Sequence, residues 1–330
     1  MQKLGLLVGE DNWQFVDEIC ADLSVHFCIS KFNWNRFRAP VLNERINQWS
    51  IQRRLRWMLR TNGVCFFEWA SGLLAVASNL PKHCPIVTRL HSFELYEWAP
   101  RINWKSVDKV ILVSQNMRRL FSEKYPDQAN KTVVIYNGVR TDKFLPIRKH
   151  PRFTLGMLCG LLPIKRIYEV VLMFKSLRNI YPQAVLKIGG QADPGEFRYA
   201  ASLHRLVEML DLRESVIFDG QVQDAPRWFQ TIDVFISNSF WEGQQVALLE
   251  AMASGCHSLA HCWAGVEEVL PKENIYITEH ELRNKIGEYF EMSESQKEAA
   301  RQHLREIACD KFDIRRTRME IMQLIETMCP

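Results

Sequence analysis

The chain alternates short apolar, β-branched runs with longer stretches of helical periodicity, the pattern of strands feeding helices. Lys3 to Val8, Val25 to Ile29, Val64 to Phe67, Ile86 to Leu90, Val110 to Val113 and Val133 to Ile135 read as strands of a first half. Thr154 to Cys159, Val185 to Ile188 followed by Gly189-Gly190, Val216 to Val222 as a strand and glycine turn, and Asp233 to Ile236 repeat the pattern in a second. Phe15, Val16 and Ile19, then Val170, Val171 and Phe174, then Val246, Leu249, Glu250 and Ala253 with Gly255 as a stop, mark helices between them. Leu282, Ile286 and Phe290, followed by Ile314 to Met328, close the chain as helices. Strands that are apolar along their whole length are buried on both faces, so the predicted class is α/β with doubly wound parallel sheets. Leu145 to Pro151 is basic and bracketed by prolines, as an exposed linker would be. It divides the chain into domains 1–147 and 148–330, with the last helix a candidate to cross back to the first.

The region from Asp233 to Gly255 carries the densest chemistry. Its strand is broken by Ser237-Asn238-Ser239, and a helix begins after Gln245. Glu242 and Gly243 therefore sit at the carboxyl edge of a sheet and at a helix N-terminus, where free N–H groups and the dipole favour an anion. Glu250 follows Glu242 by eight residues, about two helical turns, and so lies near the same side. A carboxylate there accepts the two hydrogen bonds of a ribose diol. Read alone, the pair is more simply an exposed helix residue and a charge that steadies the dipole. Lys165 stands at another strand-to-helix junction, in Gly160-Leu161-Leu162-Pro163-Ile164-Lys165-Arg166, and His91 follows the strand Ile86 to Leu90. Gly9, at the end of the first strand, would give a ligand close backbone access or simply make a turn. Asn137-Gly138 is a turn signal placed where a hinge is expected.

Composition narrows the possibilities. The 330 residues are 47% hydrophobic, enough for two ordinary cores, and no apolar run reaches the ~20 residues of a membrane span. Nine cysteines without paired C-x-x-C spacing suit a reducing compartment, so a cytoplasmic protein is expected. Cys256, His257, His261 and Cys262 fall on a helix end and a short strand that would aim them apart, which disfavours a metal site. No G-x-G-x-x-G supports a nicotinamide or flavin enzyme, and no Asp-x-Asp supports a metal-diphosphate site. Lys31 to Arg60 holds eight Lys or Arg against the single acid Glu44, with aromatics interleaved. Ile51, Leu55, Met58 and Leu59 line one side of a helix there, and Arg53, Arg56 and Arg60 another. A solvated helix, attachment to an anionic membrane surface, a groove for an acidic acceptor and, least favoured, nucleic acid are the readings of that segment.

Glu242-Gly243 followed by Leu248-Leu249-Glu250-Ala251-Met252-Ala253-x-Gly255, with His91 and the Lys165 loop, resembles retaining glycosyltransferase family 4. The similarity is close over residues 86–270 and in outline over the first 80. It implies a GT-B fold, in which two Rossmann-like domains face a central cleft, the first for the acceptor and the second for a nucleoside-diphosphate sugar. The implied reaction is sugar transfer with retention of configuration and no obligatory metal or other cofactor, to a cell-envelope glycan or lipid-linked saccharide. By the same resemblance, Lys165, Arg166 and the N–H groups after Gly243 neutralise the donor diphosphate, with Gly160 in the lysine loop. Glu250 holds the ribose, Glu242 and His91 orient the donor sugar with Gln244 and Gln245 beside them, and Gly220 and Val222 lie near the base. His91, Lys165 and Glu242 are the implied catalytic residues. Two departures stand out: Leu161 occupies a position where the family usually has Arg, and Gln244-Gln245 follows Glu-Gly. The first motivates an alternative, a nucleotide-sugar-binding or scaffolding protein that keeps the fold without turnover. Peripheral attachment at the inner membrane face is the expectation that the basic segment adds.

Overall fold

The computed structural model describes residues 1–8, 16–33, 43–146, 153–193 and 195–329. It divides into two compact units, one of Met1–Tyr136 with Arg315–Pro330, the other of Asn137–Ile314.

The first unit is built on six parallel strands, β1 (Gln2–Leu7), β2 (Phe27–Lys31), β3 (Val64–Phe67), β4 (Ile86–Leu90), β5 (Lys109–Leu112) and β6 (Thr132–Val134). Their spatial order is β2-β1-β3-β4-β5-β6. Because side chains alternate along a strand, Leu4 and Leu6 of β1 meet Ile19 and Leu23 of helix α1 (Asp17–His26) on one face. Leu7, Cys65 and Phe67 meet Leu55, Met58 and Leu59 of helix α2 (Asn43–Thr61) on the other. The second strand starts later than Val25, because α1 runs through His26 and leaves Val25 exposed on the helix. Pairing of Gln2 with Phe27 sets the register. The expected helix residue Phe15 lies outside the described residues. The C-terminal helix Ile314–Met328 contributes Ile321 and Ile325 to this unit's core, and Thr317 Oγ1 donates to Tyr136 O at 2.9 Å. Arg318 forms an ion pair with Asp22.

The second unit repeats the plan with β7 (Thr154–Leu158), β8 (Val185–Gly189), β9 (Val216–Gly220), β10 (Val234–Ser237), β11 (His257–His261) and β12 (Ile275–Tyr276). The order β12-β11-β10-β7-β8-β9 reverses direction between β7 and β10, the topological switch at which ligands bind in open α/β sheets. The strand and glycine turn expected over Val216 to Val222 are found as β9 closing at Gly220, whose φ of +64° turns the backbone out of the strand. Gly190, at φ +128°, lets the loop after β8 cross the loop after β7, since a Cβ there would lie 1.8 Å from Cys159 O.

The division falls at Tyr136/Asn137, ahead of the 147/148 boundary expected from the prolines; residues 147–152 lie outside the described residues. Asn137 to Pro146 belongs to the second unit because its backbone is bonded there. Val139 N donates to Phe312 O at 2.7 Å, Ile314 N donates to Val139 O at 3.0 Å, and Thr141 Oγ1 donates to Asp313.

Buried on β11, His257 lies flat on Tyr289 with ring centroids 4.3 Å apart. Burial, aided by the nearby charges of Arg301 and Lys285, pushes its pKa down to about 4. The unfolded chain takes up this proton below about 6.5 and the folded chain only near 4, so the stability held above pH 6.5 declines as pH falls through that window. Up to ~3 kcal/mol is expected to be lost between those limits. His257→Phe, which preserves the stack, should flatten the decline in urea unfolding measured at pH 7 and pH 4.5; an unchanged slope would assign the acid sensitivity elsewhere.

Candidate active site

The switch point of the second sheet brings two loops together. After β7 the chain passes through Cys159 to Leu162, a short 3-10 turn Pro163–Lys165 and Arg166 into the helix Ile167–Arg178. After β10 it passes through Asn238 to Gln245 into the helix Val246–Ala253. Phe240 N donates to Ile164 O, and Asn238 Nδ2 donates to Arg166 O, both at 2.9 Å. Tyr276 Oη in turn donates to Asn238 Oδ1 at 2.7 Å and holds that amide in place. With the loops fastened, Lys165 Nζ reaches Glu242 Oε1 at 2.5 Å, and Ser239 Oγ donates to the same oxygen at 2.6 Å. Both side chains are mostly buried, so their attraction is screened less than that of a surface pair.

Arg166 adopts φ +50°, a left-handed conformation costing about 1–2 kcal/mol without a glycine. The bond to Asn238 holds it there, while its guanidinium stands 4.6 Å from the Phe240 ring and its Nε 3.5 Å from Glu169. Leu161 turns inward and is part of the apolar core. Its N–H donates to Gln191 O and that of Cys159 to Gly189 O, each at 3.0 Å, so Gly160 lies on a ledge beside Gly190. Burial pushes the Cys159 thiol up to about 12, which removes it as a nucleophile. Gly190 N donates to Gly220 O at 2.7 Å, and Val222 closes over Gly189. Gly160, Gly190 and Gly220 thus line one carboxyl edge, with Lys187, Asp219 and Trp228 at its end, where Trp228 Nε1 donates to Asp219 at 2.6 Å.

Behind buried Gly243, the helix Val246–Ala253 starts without a side-chain cap and without an acidic residue in its first turn. Its N-terminus is available to an anion. Gln244 is anchored, since its Oε1 accepts from Asn137 N at 2.6 Å; its buried Nε2 and the buried Oε1 of Gln245 have no hydrogen-bond partner among the described residues. Each is a polar atom that a ligand's hydroxyl would satisfy. Glu250 is partly accessible along its side chain, yet desolvation of the carboxyl raises its pKa to about 8. No hydrogen bond or ion pair to it is found among the described residues.

In the first unit, His91 follows β4. Its Nε2 lies 3.3 Å from Glu68 Oε1, to which Arg89 Nη1 also donates at 3.1 Å. Trp69 stacks on the imidazole at 4.1 Å. Glu94 accepts from His91 N at 3.4 Å and Ser92 N at 3.0 Å, and burial raises its carboxyl above the ordinary range against the opposing pull of His91. Glu68 and Arg89 were not selected from the sequence. The signal was a carboxylate directly after the all-apolar strand β3, a placement that requires a buried partner. Gly9 lies outside the described residues. Cys256 faces Phe229 and Ile232 and His257 faces Tyr289, while His261, beside Tyr276, lies 4.0 Å from the exposed Cys262 thiol, so only that pair adjoins and the four do not converge. No group of three His, Cys, Asp or Glu suited to a metal ion is found among the described residues.

Residues 25–143 match the family model of Glycosyltransferase Family 4, and residues 152–290 match that of Glycosyl transferases group 1. The chain belongs to glycosyltransferase family 4. Its fold is GT-B: a structure of Anabaena HepE in complex with UDP-glucose superposes with a TM-score of 0.80 at 19% identity, covering 99% of this chain and 100% of that one. The Escherichia coli UDP-Gal:alpha-D-GlcNAc-diphosphoundecaprenol alpha-1,3-galactosyltransferase is 27% identical over 176 residues, 49% of this chain and 44% of that protein. The Streptococcus pneumoniae alpha-monoglucosyldiacylglycerol synthase is 29% identical over 202 residues, 55% and 44% respectively. The matches span about half the length of these relatives or a little less.

Within this family 4 chain, the Lys165–Glu242 bond should couple the two loops energetically. A double-mutant cycle of Lys165→Met and Glu242→Gln is expected to give about 1–2 kcal/mol of coupling in urea unfolding. Additivity of the two losses would show that the loops hold without it.

Proposed function

We propose that this chain transfers a sugar from a nucleoside-diphosphate sugar to an acceptor, with retention of configuration. The pairing of Lys165 with Glu242 beside an uncapped helix N-terminus supports this reading best, because it sets a cation and free N–H groups where a departing diphosphate would gather charge. Lys165 leaves Glu242 for the phosphates as donor binds, and Glu242 then receives a sugar hydroxyl. Glu242 has one oxygen occupied by Ser239 as well as Lys165, an arrangement for holding a hydroxyl rather than for nucleophilic attack. The mechanism proposed is same-face attack assisted by the leaving phosphate oxygen. The positive charge of Lys165 takes the part a metal would play, so turnover is expected to persist in EDTA. His91 remains the candidate for the donor sugar in the first unit, with Glu68 fixing its orientation. Gly160, Gly220 and Val222 are assigned to the nucleotide, and Gln244 and Gln245 to the donor sugar through their unpartnered amide atoms.

Uridine is the first base to test, since the HepE structures hold UDP or UDP-glucose. The acceptor is proposed to be a cell-envelope glycan or lipid-linked saccharide, in keeping with the undecaprenol-linked and diacylglycerol substrates named for two relatives. A second reading, binding without turnover, draws on Leu161, which lies in the core and supplies no cation. Release of free UDP from UDP-sugar decides between them, and the anomeric configuration of the product by NMR decides retention.

Glu250 gives the binding step a signature. With its pKa near 8, it is mostly protonated at pH 7, whereas a ribose diol donates two hydrogen bonds and favours the ionised form. Nucleotide binding is therefore expected to expel close to one proton at pH 7, with affinity rising as pH approaches 8. Titration calorimetry with UDP in phosphate and in Tris should give enthalpies that differ by the buffers' ionisation heats, and Glu250→Gln should remove the difference. Buffer-independent heats with the wild type would show that Glu250 does not hold the ribose.

Thermal shift offers a simpler first check, because ligand at a hundred times its Kd stabilises by ~2.7 kcal/mol. UDP should raise the melting temperature more than GDP or ADP do.

A further inference from the structure

Helix α2 presents two opposed faces. Asn47, Leu55, Met58 and Leu59 are buried, with the three apolar residues packed against the first sheet. Arg45, Trp49, Arg53, Arg56 and Arg60 follow one another at steps of three or four along the outer face, with Ile46 and Trp57 beside them, and all seven are exposed. Trp49 is 59% and Trp57 50% accessible, an unusual exposure for two indoles on one helix. The stripe spans most of a helix about 28 Å long.

What sets the α2 arginines apart, among the described residues, is that several unpaired ones share one helix face. Arg119, Arg205, Arg301 and Arg316 each meet a glutamate three or four residues away. Among the described residues, Arg45, Arg53, Arg54, Arg56 and Arg60 meet no carboxylate. Arg56 reaches Gln52 at 3.5 Å and Arg60 reaches His83 at 3.3 Å. Arg53 and Arg54 instead stand over Trp49 and Trp57, at 5.4 and 5.5 Å from the ring centroids. Like charges at helical spacing repel one another, so this face is suited to a surface that brings many negative charges.

We propose that the outer face of α2 docks on an anionic lipid bilayer, its arginines meeting headgroup phosphates and Trp49, Trp57 and Ile46 entering the interface. Arginine stems and indoles are amphipathic and settle at that depth. Nucleic acid would also attract arginines, but the guanidinium groups of Arg53 and Arg54 already stand over one face of each indole, where a base would stack. An interfacial tryptophan needs only its edge and body in the lipid. No helix among the described residues is long and apolar enough to cross a membrane, so α2 would lie along the surface. This goes beyond the transferase reading and does not require it.

Flotation of the full chain with vesicles of phosphatidylcholine, alone or mixed with phosphatidylglycerol, tests the surface directly. Binding is expected only to the mixed vesicles, weakening as salt rises. Each arginine contributes about a fivefold factor in partition, so Arg53→Glu with Arg56→Glu should weaken binding at least twentyfold. Trp49→Ser with Trp57→Ser should weaken it as well, and matching thermal melts would show that the variants fold. Equal binding by the charge-reversed variant, no binding by the wild type, or binding to single-stranded oligonucleotide without vesicle binding would each overturn the assignment. The UDP thermal shift should be the same in wild type and both variants; its absence in all three would count against the donor site alone.

Discussion

The contact between Lys165 and Glu242 depends on where a parallel sheet changes direction. β7 and β10 are neighbours in the second sheet and the strand order reverses between them, the place where open α/β sheets bind ligands. An ammonium from the loop after one and a carboxylate from the loop after the other, 77 residues apart in the chain, meet there at 2.5 Å. The bond depends in turn on a second layer: Phe240 fastened to Ile164, Asn238 to Arg166, and Tyr276 to Asn238. Arg166 keeps a left-handed backbone because this layer holds it. The site is thus positioned by neutral hydrogen bonds beneath the charges, which leaves the charged groups able to change partners.

Burial divides the work of the carboxylates near this switch point. Glu242 has a cation and a hydroxyl on one oxygen, whereas the Glu250 carboxyl is desolvated without a compensating partner among the described residues and its pKa rises to about 8. With its pKa raised by burial, Glu250 adds little standing negative charge to the helix Val246–Ala253 near neutral pH.

Much of the fold was legible because buried parallel strands are short, apolar and β-branched. Val64 to Phe67 and Ile86 to Leu90 were readable to the residue. The edge strand β2 was not, since Val25 has strand chemistry but lies on the solvent side of α1, and only its pairing with β1 sets where that strand starts. Prolines suggested a linker near residue 147, but a linker's backbone bonds are long-range: Val139 answers to Phe312 and Ile314, which no local pattern reveals. At the site, Lys165, Glu242, Glu250 and His91 were visible as polar residues directly after strands or at helix spacing. Their partners were not. Asn238 and Ser239 looked like strand breakers, and Leu161 like a missing cation when its side chain in fact belongs to the core.

Glu68 shows why such partners escape a linear reading, and why they matter. Its carboxylate follows an all-apolar strand and is fully buried, and a lone ion in that position would be strongly disfavoured. Arg89, from the adjacent strand β4, supplies the charge, and His91, two residues on, shares the same oxygen because alternate residues of a strand face the same side. Trp69 then covers the imidazole. Both units therefore place a carboxylate beneath a cation at the carboxyl edge of a parallel sheet, Glu68 under Arg89 in one and Glu242 under Lys165 in the other. They differ in depth. Arg89 is 2% accessible and sealed against Glu68, whereas Lys165, at 18%, lies closer to solvent.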